Sequence, residues 1–199
     1  VTQPENQRFF DDPGEYNRQI EFAGGYGKSG VRGGIWPLTQ DKLRPGEVIY
    51  RVGHSNLPMT KNMSSPWWMR DESFYAICDA SERSGTDIED IYRMKCAVSY
   101  DFGVSDIVLE ARVKRLLRVF AGHGRPVEDK SPEQKGRVWF GALEIAQMYI
   151  PGLRDFKTGL PTAICHDSIE IIEKYKVSDY ISVQRRRQKK ISKTLLAQL

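Results

Sequence analysis

The sequence predicts an α+β fold, and three observations predict it. Short, nearly continuous apolar runs bounded by breakers read as strands buried on both faces; Glu47–Gly53 and Gly141–Pro151 are the clearest. The run from Asp71 to Ser84 has helical spacing, with Phe74, Ile77, Cys78 and Ser81 on one face and Gly85 as its stop. Proline and glycine turns divide such segments from one another. At 199 residues the chain is long enough for one domain with its own core, taken as 1–199.

Taken in order, the segment Val1 to Gly34 is polar and glycine-rich. Its stretch Ala23–Gly34 shows neither period and lacks the spacing of a phosphate-binding loop, although it contains Gly27-Lys28-Ser29. It reads as a flexible or induced-fit segment. Leu43-Arg44-Pro45-Gly46 is a turn that feeds the strand holding Arg51, and His54 to Pro58 is the loop after it. Ser64-Ser65-Pro66 has the form of a helix N-cap and first turn. Met94–Val98 reads as a strand. Asp106 to Phe120 is ambiguous, read as a helix or extended start that passes into a strand and is broken by Gly122–Pro126. A charged loop, Glu128 to Gly136, precedes the strand holding Glu144. Ser168–Lys176 reads as a helix, Ser178–Val183 as a short strand or helix start, and about 184–199 as a basic helical tail containing Arg185–Lys190.

Composition excludes several classes. With 40% hydrophobic and 28% charged residues, the chain is an ordinary globular sequence rather than a disordered one. A net charge of +4 is too small to diagnose a nucleic-acid binder. No stretch reaches the apolar length of a membrane span, and no signal-peptide pattern opens the chain, so membrane insertion is not expected. Three scattered cysteines, Cys78, Cys96 and Cys165, fit neither a disulfide framework nor a zinc site; no metal is expected, and a reducing compartment is. The first residue is Val1, which suits a trimmed chain or the end of a longer polypeptide.

The informative residues are two charges inside apolar runs, Arg51 and Glu144. Burying an unpaired charge costs several kcal/mol. Either the two pair with each other structurally, or they face a polar ligand. Arginine offers a planar fork suited to a pyrophosphate. A carboxylate can hydrogen-bond a sugar hydroxyl and stabilise an oxocarbenium-like carbon. Aromatic faces at Tyr50, Trp67, Trp68 and Trp139 can stack on a planar ring. Together these groups suit a dinucleotide whose N-glycosidic bond is cleaved.

Val48-Ile49-Tyr50-Arg51-Val52-Gly53-His54-Ser55-Asn56-Leu57-Pro58 resembles the first-strand motif of bacterial ADP-ribosyltransferase toxins of the cholera and pertussis type. Glu144-Ile145-Ala146 with Pro151-Gly152 resembles that family's catalytic-glutamate strand, above all in its pierisin-like branch. The order of the two motifs also agrees. The resemblance implies a split mixed or antiparallel sheet around an NAD cleft with flanking helices. It implies that Arg51 grips the NAD phosphates, and that Glu144 binds the nicotinamide-side ribose and stabilises the cation. Tyr50, His54 and Trp67 would join the NAD pocket. Ser64-Ser65 is the nearest match to the family's serine-threonine-serine motif, without its threonine, and is equally a helix N-cap. Ala142 stands where arginine-modifying members carry Glu or Gln, which disfavours an arginine acceptor; Gln147 is an ancillary candidate. The implied activity is mono-ADP-ribosyl transfer to protein or structural RNA with release of nicotinamide, in the cytoplasm of a target cell. Delivery as the terminal domain of a secreted toxin and an acidic immunity protein over the cleft are further implications. The alternatives are an NAD glycohydrolase toxin and a non-catalytic RNA- or ribosome-binding module that uses the basic tail.

Overall fold

A computed structural model describes residues 3–27 and 30–181. Two helices open it, α1 (Arg8–Asp11) and α2 (Pro13–Ala23), followed by a two-stranded hairpin of β1 (Tyr26–Gly27) and β2 (Gly30–Val31). Then come β3 (Ile35–Leu43), β4 (Val48–Gly53), α3 (Met59–Met63), β5 (Trp67–Arg70), α4 (Asp71–Ser84) and α5 (Ile88–Cys96). The second half holds β6 (Ile107–Val113), β7 (Leu117–Gly124), β8 (Val127–Glu128), β9 (Val138–Trp139), β10 (Ala146–Tyr149), α6 (Ala163–Ser168) and β11 (Ile169–Lys176). A short 3₁₀ turn, Tyr100–Phe102, lies between α5 and β6.

Seven strands form one sheet in the order β11-β6-β4-β5-β10-β7-β3. Every pairing in it is antiparallel, so the mixed alternative falls away. The sheet divides at β5. Trp67 and Trp68 pair with β10, whereas Met69 and Arg70 pair with β4. Both ladders therefore stop halfway along β5, and Arg51 on β4 and Gln147 on β10 lie beyond the last paired residues.

The β4 strand is buried on both faces because its residues alternate between two cores. Ile49 packs with Trp68, Leu109 and Met148, while Tyr50 and Val52 pack with Phe74, Ile77 and Val108 under α4 and α5. Each such large side chain removed from water contributes about 1.5–3 kcal/mol before conformational entropy is counted. The α4 helix matches the expected 71–84 span, and Gly85 ends it in the left-handed region at φ 68°.

Several expected elements differ. Within the polar Val1–Gly34 segment, to which no element was assigned, α2 forms ahead of the aperiodic Ala23–Gly34 stretch, capped by the Asp12 side chain accepting from Glu15 N. Ser64-Ser65-Pro66 starts no helix; Ser64 ends α3, and β5 follows Pro66. Met94–Val98 is not a strand. Ile88, Ile91, Tyr92 and Cys96 recur at helical spacing and bury one face of α5 against the sheet. Asp106–Phe120 holds no helix; it forms β6 and the start of β7. Ser168–Lys176 is not a helix: Ser168 ends α6, and the rest is the edge strand β11, whose Glu170, Glu173, Lys174 and Lys176 suit the exposed border of a sheet. Residues 177–181 are helical. The expected basic tail, about 184–199, lies outside the described residues, as do Lys28 and Ser29. No helix among the described residues is long and apolar enough to cross a membrane.

Candidate functional site

A cleft of about 440 Å³ opens where the two ladders separate, in the size class of small-molecule and cofactor sites. Arg51 and Val52 line it from β4, Ser65 from just before β5, Trp67 from its first position, and Gln147 from β10. Tyr92, Cys96 and Ala97 come from the end of α5, and Phe102 and Ser105 from the loop before β6. Gly25, Arg32, Gly33 and Gly34 approach from the N-terminal hairpin, and Arg154 from the loop after β10. Among the described lining residues three are arginines and none is a carboxylate.

Arg51 is 9% exposed. Its Nη1 donates to Ser65 Oγ and, at 3.1 Å, to the Trp67 carbonyl, the backbone left free where the β4–β5 ladder stops. Its Nε is buried with no partner among the described residues. Burial pulls the guanidinium pKa down to about 10, Tyr92 works against that, and Arg154 adds to it by repulsion. Arg51 thus remains a cation near neutral pH. Arg32 pairs with Asp101 and lies 4.8 Å from the Phe102 ring centroid, tying the hairpin to the opposite loop. That loop is held from behind by Arg93, which donates to Ser99 O at 3.0 Å, Gly103 O at 2.6 Å and Glu89 Oε1 at 2.7 Å.

Gln147 is buried, and its Nε2 donates to Cys96 O at 2.9 Å, a carbonyl at the C-terminal end of α5. Gly124 permits this approach, since a Cβ there would lie 2.4 Å from Cys96 O and 3.0 Å from Gln147 Nε2. With the amide nitrogen committed, the amide oxygen remains the acceptor that Gln147 can offer a ligand. His54 lines the rim. Asn62 staples its loop by accepting from His54 N at 2.9 Å and donating to His54 O at 2.7 Å and Leu57 O at 3.2 Å. Burial, and next the Arg51 charge, hold the His54 imidazole below its ordinary pKa.

The structure brings together Arg51, His54, Ser65, Trp67 and Gln147 and leaves out three expected residues. Tyr50 stacks on Phe74 with centroids 4.7 Å apart and meets Tyr75 through its hydroxyl, so it belongs to the core. Ser64 Oγ donates to Lys61 O at 3.2 Å at the end of α3, outside the cleft. Glu144 is not in a strand at all. Ile145 N donates to Ala142 O at 3.1 Å, closing a turn, and β10 begins only at Ala146. The Glu144 side chain is 58% exposed and paired with Lys95, which holds its carboxyl below the usual range. It does not line the cleft, and the expected Arg51–Glu144 juxtaposition is absent.

Sequence reasoning missed Arg32, Tyr92, Phe102 and Arg154. Arg154 sits in a polar loop where arginine is unremarkable; its backbone is fixed by an isolated bridge to Pro161 and by the flanking bonds from Asp155 N to Leu160 O and from Thr162 N to Leu153 O.

No family model and no curated protein matches the chain. Among solved structures, the chain is similar to Rhs1-CT in complex with its cognate immunity protein RhsI1, at 18% identity and TM-score 0.40, over 70% of this chain and 80% of that one. It is similar to Tne2 in complex with Tni2, at 11% identity and TM-score 0.44, over 70% and 92%. It is also similar to Tse6 in complex with Tsi6, at 12% identity and TM-score 0.36, over 84% and 91%.

Proposed function

We propose that the cleft binds NAD and cleaves its nicotinamide–ribose bond with water as the acceptor, as the activity of a toxin effector domain. The observation that carries this reading is Arg51: a buried guanidinium with an unpartnered Nε, no carboxylate among its described cleft neighbours, and a second arginine close enough to repel it. Such a cation is stabilised by an anionic ligand, and a diphosphate fits its fork.

Arg51 would hold the diphosphate, with Ser65 and the Trp67 carbonyl fixing the rotamer in advance. The Gln147 amide oxygen would accept from a hydroxyl of the nicotinamide-side ribose. The glycosidic carbon–nitrogen bond breaks, and its electron pair leaves with the pyridine nitrogen as neutral nicotinamide. Water adds to the cationic carbon and gives its proton to solvent, leaving ADP-ribose. The turn at Ala142–Ile145, which the resemblance makes responsible for both the catalytic carboxylate and acceptor choice, contributes no residue to the described lining of the cleft. Water needs no such acceptor-directing element, which favours hydrolysis over transfer. An acidic immunity protein would complement the three cleft arginines.

The test is NAD labelled in its adenylate half, incubated with purified protein and with cell lysate. Free ADP-ribose and nicotinamide in equal amounts are expected. Label retained on protein or on nuclease-sensitive material would replace hydrolysis by transfer, and no nicotinamide in either condition would remove the catalytic reading.

A further inference from the structure

Three arginines in this cleft have a buried Nε that no described group satisfies. Arg32 is already paired with Asp101, which leaves two with no carboxylate partner among the described residues: Arg51 on β4 and Arg154 in the loop after β10. Each is held by one end of its guanidinium. Arg51 Nη1 is committed to Ser65 Oγ and the Trp67 carbonyl; Arg154 Nη2 donates to Lys61 O at 3.0 Å. Those contacts fix both side chains yet leave the Nε of each without an acceptor. The bridge from Arg154 to Pro161, and Thr162 N donating to Leu153 O at 3.1 Å, brace the loop from behind.

Holding two such cations in one cleft is unfavourable in the empty protein. The Arg154 charge is felt at Arg51, and at Tyr149 and Cys165 behind it. A single phosphate satisfies one guanidinium; two adjacent phosphates can satisfy both. We infer that Arg154 is a second anion-binding residue of the cleft, closing with Arg51 a two-guanidinium clamp on the diphosphate of a dinucleotide. The inference rests on the NAD reading for the dinucleotide and on the geometry for the diphosphate. It makes the bridging phosphates, rather than the adenosine or nicotinamide ends, the main source of affinity. Arg154 acts in binding and touches no reacting atom.

The experiment is calorimetric titration of the whole chain with ADP, AMP and inorganic pyrophosphate at fixed low salt, for wild type, Arg154→Ala and Arg154→Lys, with NAD cleavage followed in parallel. Wild type is expected to bind ADP and pyrophosphate about tenfold or more tightly than AMP. Arg154→Ala is expected to lose that preference while AMP affinity changes less than about threefold. Arg154→Lys keeps the charge without the fork and is expected to lie between; it also carries the test if the alanine variant does not fold. ADP binding unchanged in Arg154→Ala, or wild type that does not separate ADP from AMP, overturns the clamp. Clamp-dependent ADP binding without NAD cleavage keeps the clamp and removes the catalytic reading; cleavage with Arg154-independent binding does the reverse.

Discussion

The end of β4 and the approach to β10 look alike in the sequence and differ in space. Each is an apolar run with one charge in it. In β4 the strand continues through Arg51, and the guanidinium is carried inward and left without a carboxylate partner among the described residues. Before β10 the strand has not yet begun at Glu144, and the carboxylate stays in a turn with Lys95. The difference lies in the backbone. At the second site Gly141 packs so close to Gly124 that a Cβ would lie 2.2 Å from its carbonyl oxygen, and Ala142 N donates to Lys95 O at 2.8 Å. These contacts draw the chain off the sheet until Ile145 re-enters the core. A charge in an apolar run is a functional signal only where the strand that would bury it exists.

That contrast orders the expected effects of substitution. Arg51→Met should abolish most nicotinamide release, by about 10³-fold, through loss of substrate positioning and charge. Its unfolding midpoint should correspond to a change of no more than about 1 kcal/mol, because loss of the buried, repelled charge offsets the lost hydrogen bonds. A large loss of stability instead would make Arg51 a structural residue. Gln147→Ala should lower kcat by about 10²-fold in steady-state assays, with ADP affinity by calorimetry little changed. Equal loss of both would assign Gln147 to holding α5 rather than the sugar. Gly141→Ala should cost about 1–3 kcal/mol in denaturant unfolding, since backbone must move to admit the methyl. A neutral result would mean that the turn is not pinned by that approach.

Smaller effects concern pH and the exposed pair. His54 has a folded-state pKa below its unfolded one, so the unfolded chain takes up the extra proton first as pH falls through about 6.5. Thermal stability should therefore decline from about pH 7 toward pH 5, and His54→Gln should remove part of that slope. Glu144→Gln should leave nicotinamide release within about twofold and stability within about 0.5 kcal/mol, as for other exposed ion pairs. Lys95 depresses the Glu144 pKa, so the small contribution is present above about pH 4.5 and is lost as pH falls through the lower folded value.

The legible parts of the sequence were those with one dominant signal. The α4 helix carries a clear apolar face and a glycine stop, and β4 is apolar throughout except for the charge it buries. The α5 helix was obscured because Met94–Val98 is compact and apolar, although the wider spacing of Ile88, Ile91, Tyr92 and Cys96 contains the helical answer. The β11 strand was obscured because an edge strand needs no clean alternation, and its Glu and Lys residues resemble a solvated helix. In the cleft, Arg51 announced itself by contrast with its neighbours. Arg32 and Arg154 did not, because they arrive from a glycine-rich segment and a polar loop whose folding depends on contacts distant in the chain.

The most direct measurement is nicotinamide release from NAD by wild type, Arg51→Met and Glu144→Gln side by side, each shown by circular dichroism to be folded. Release by wild type and Glu144→Gln, with its loss in Arg51→Met, is the predicted result. Release that survives in Arg51→Met but disappears in Glu144→Gln, or no release from wild type, would contradict it.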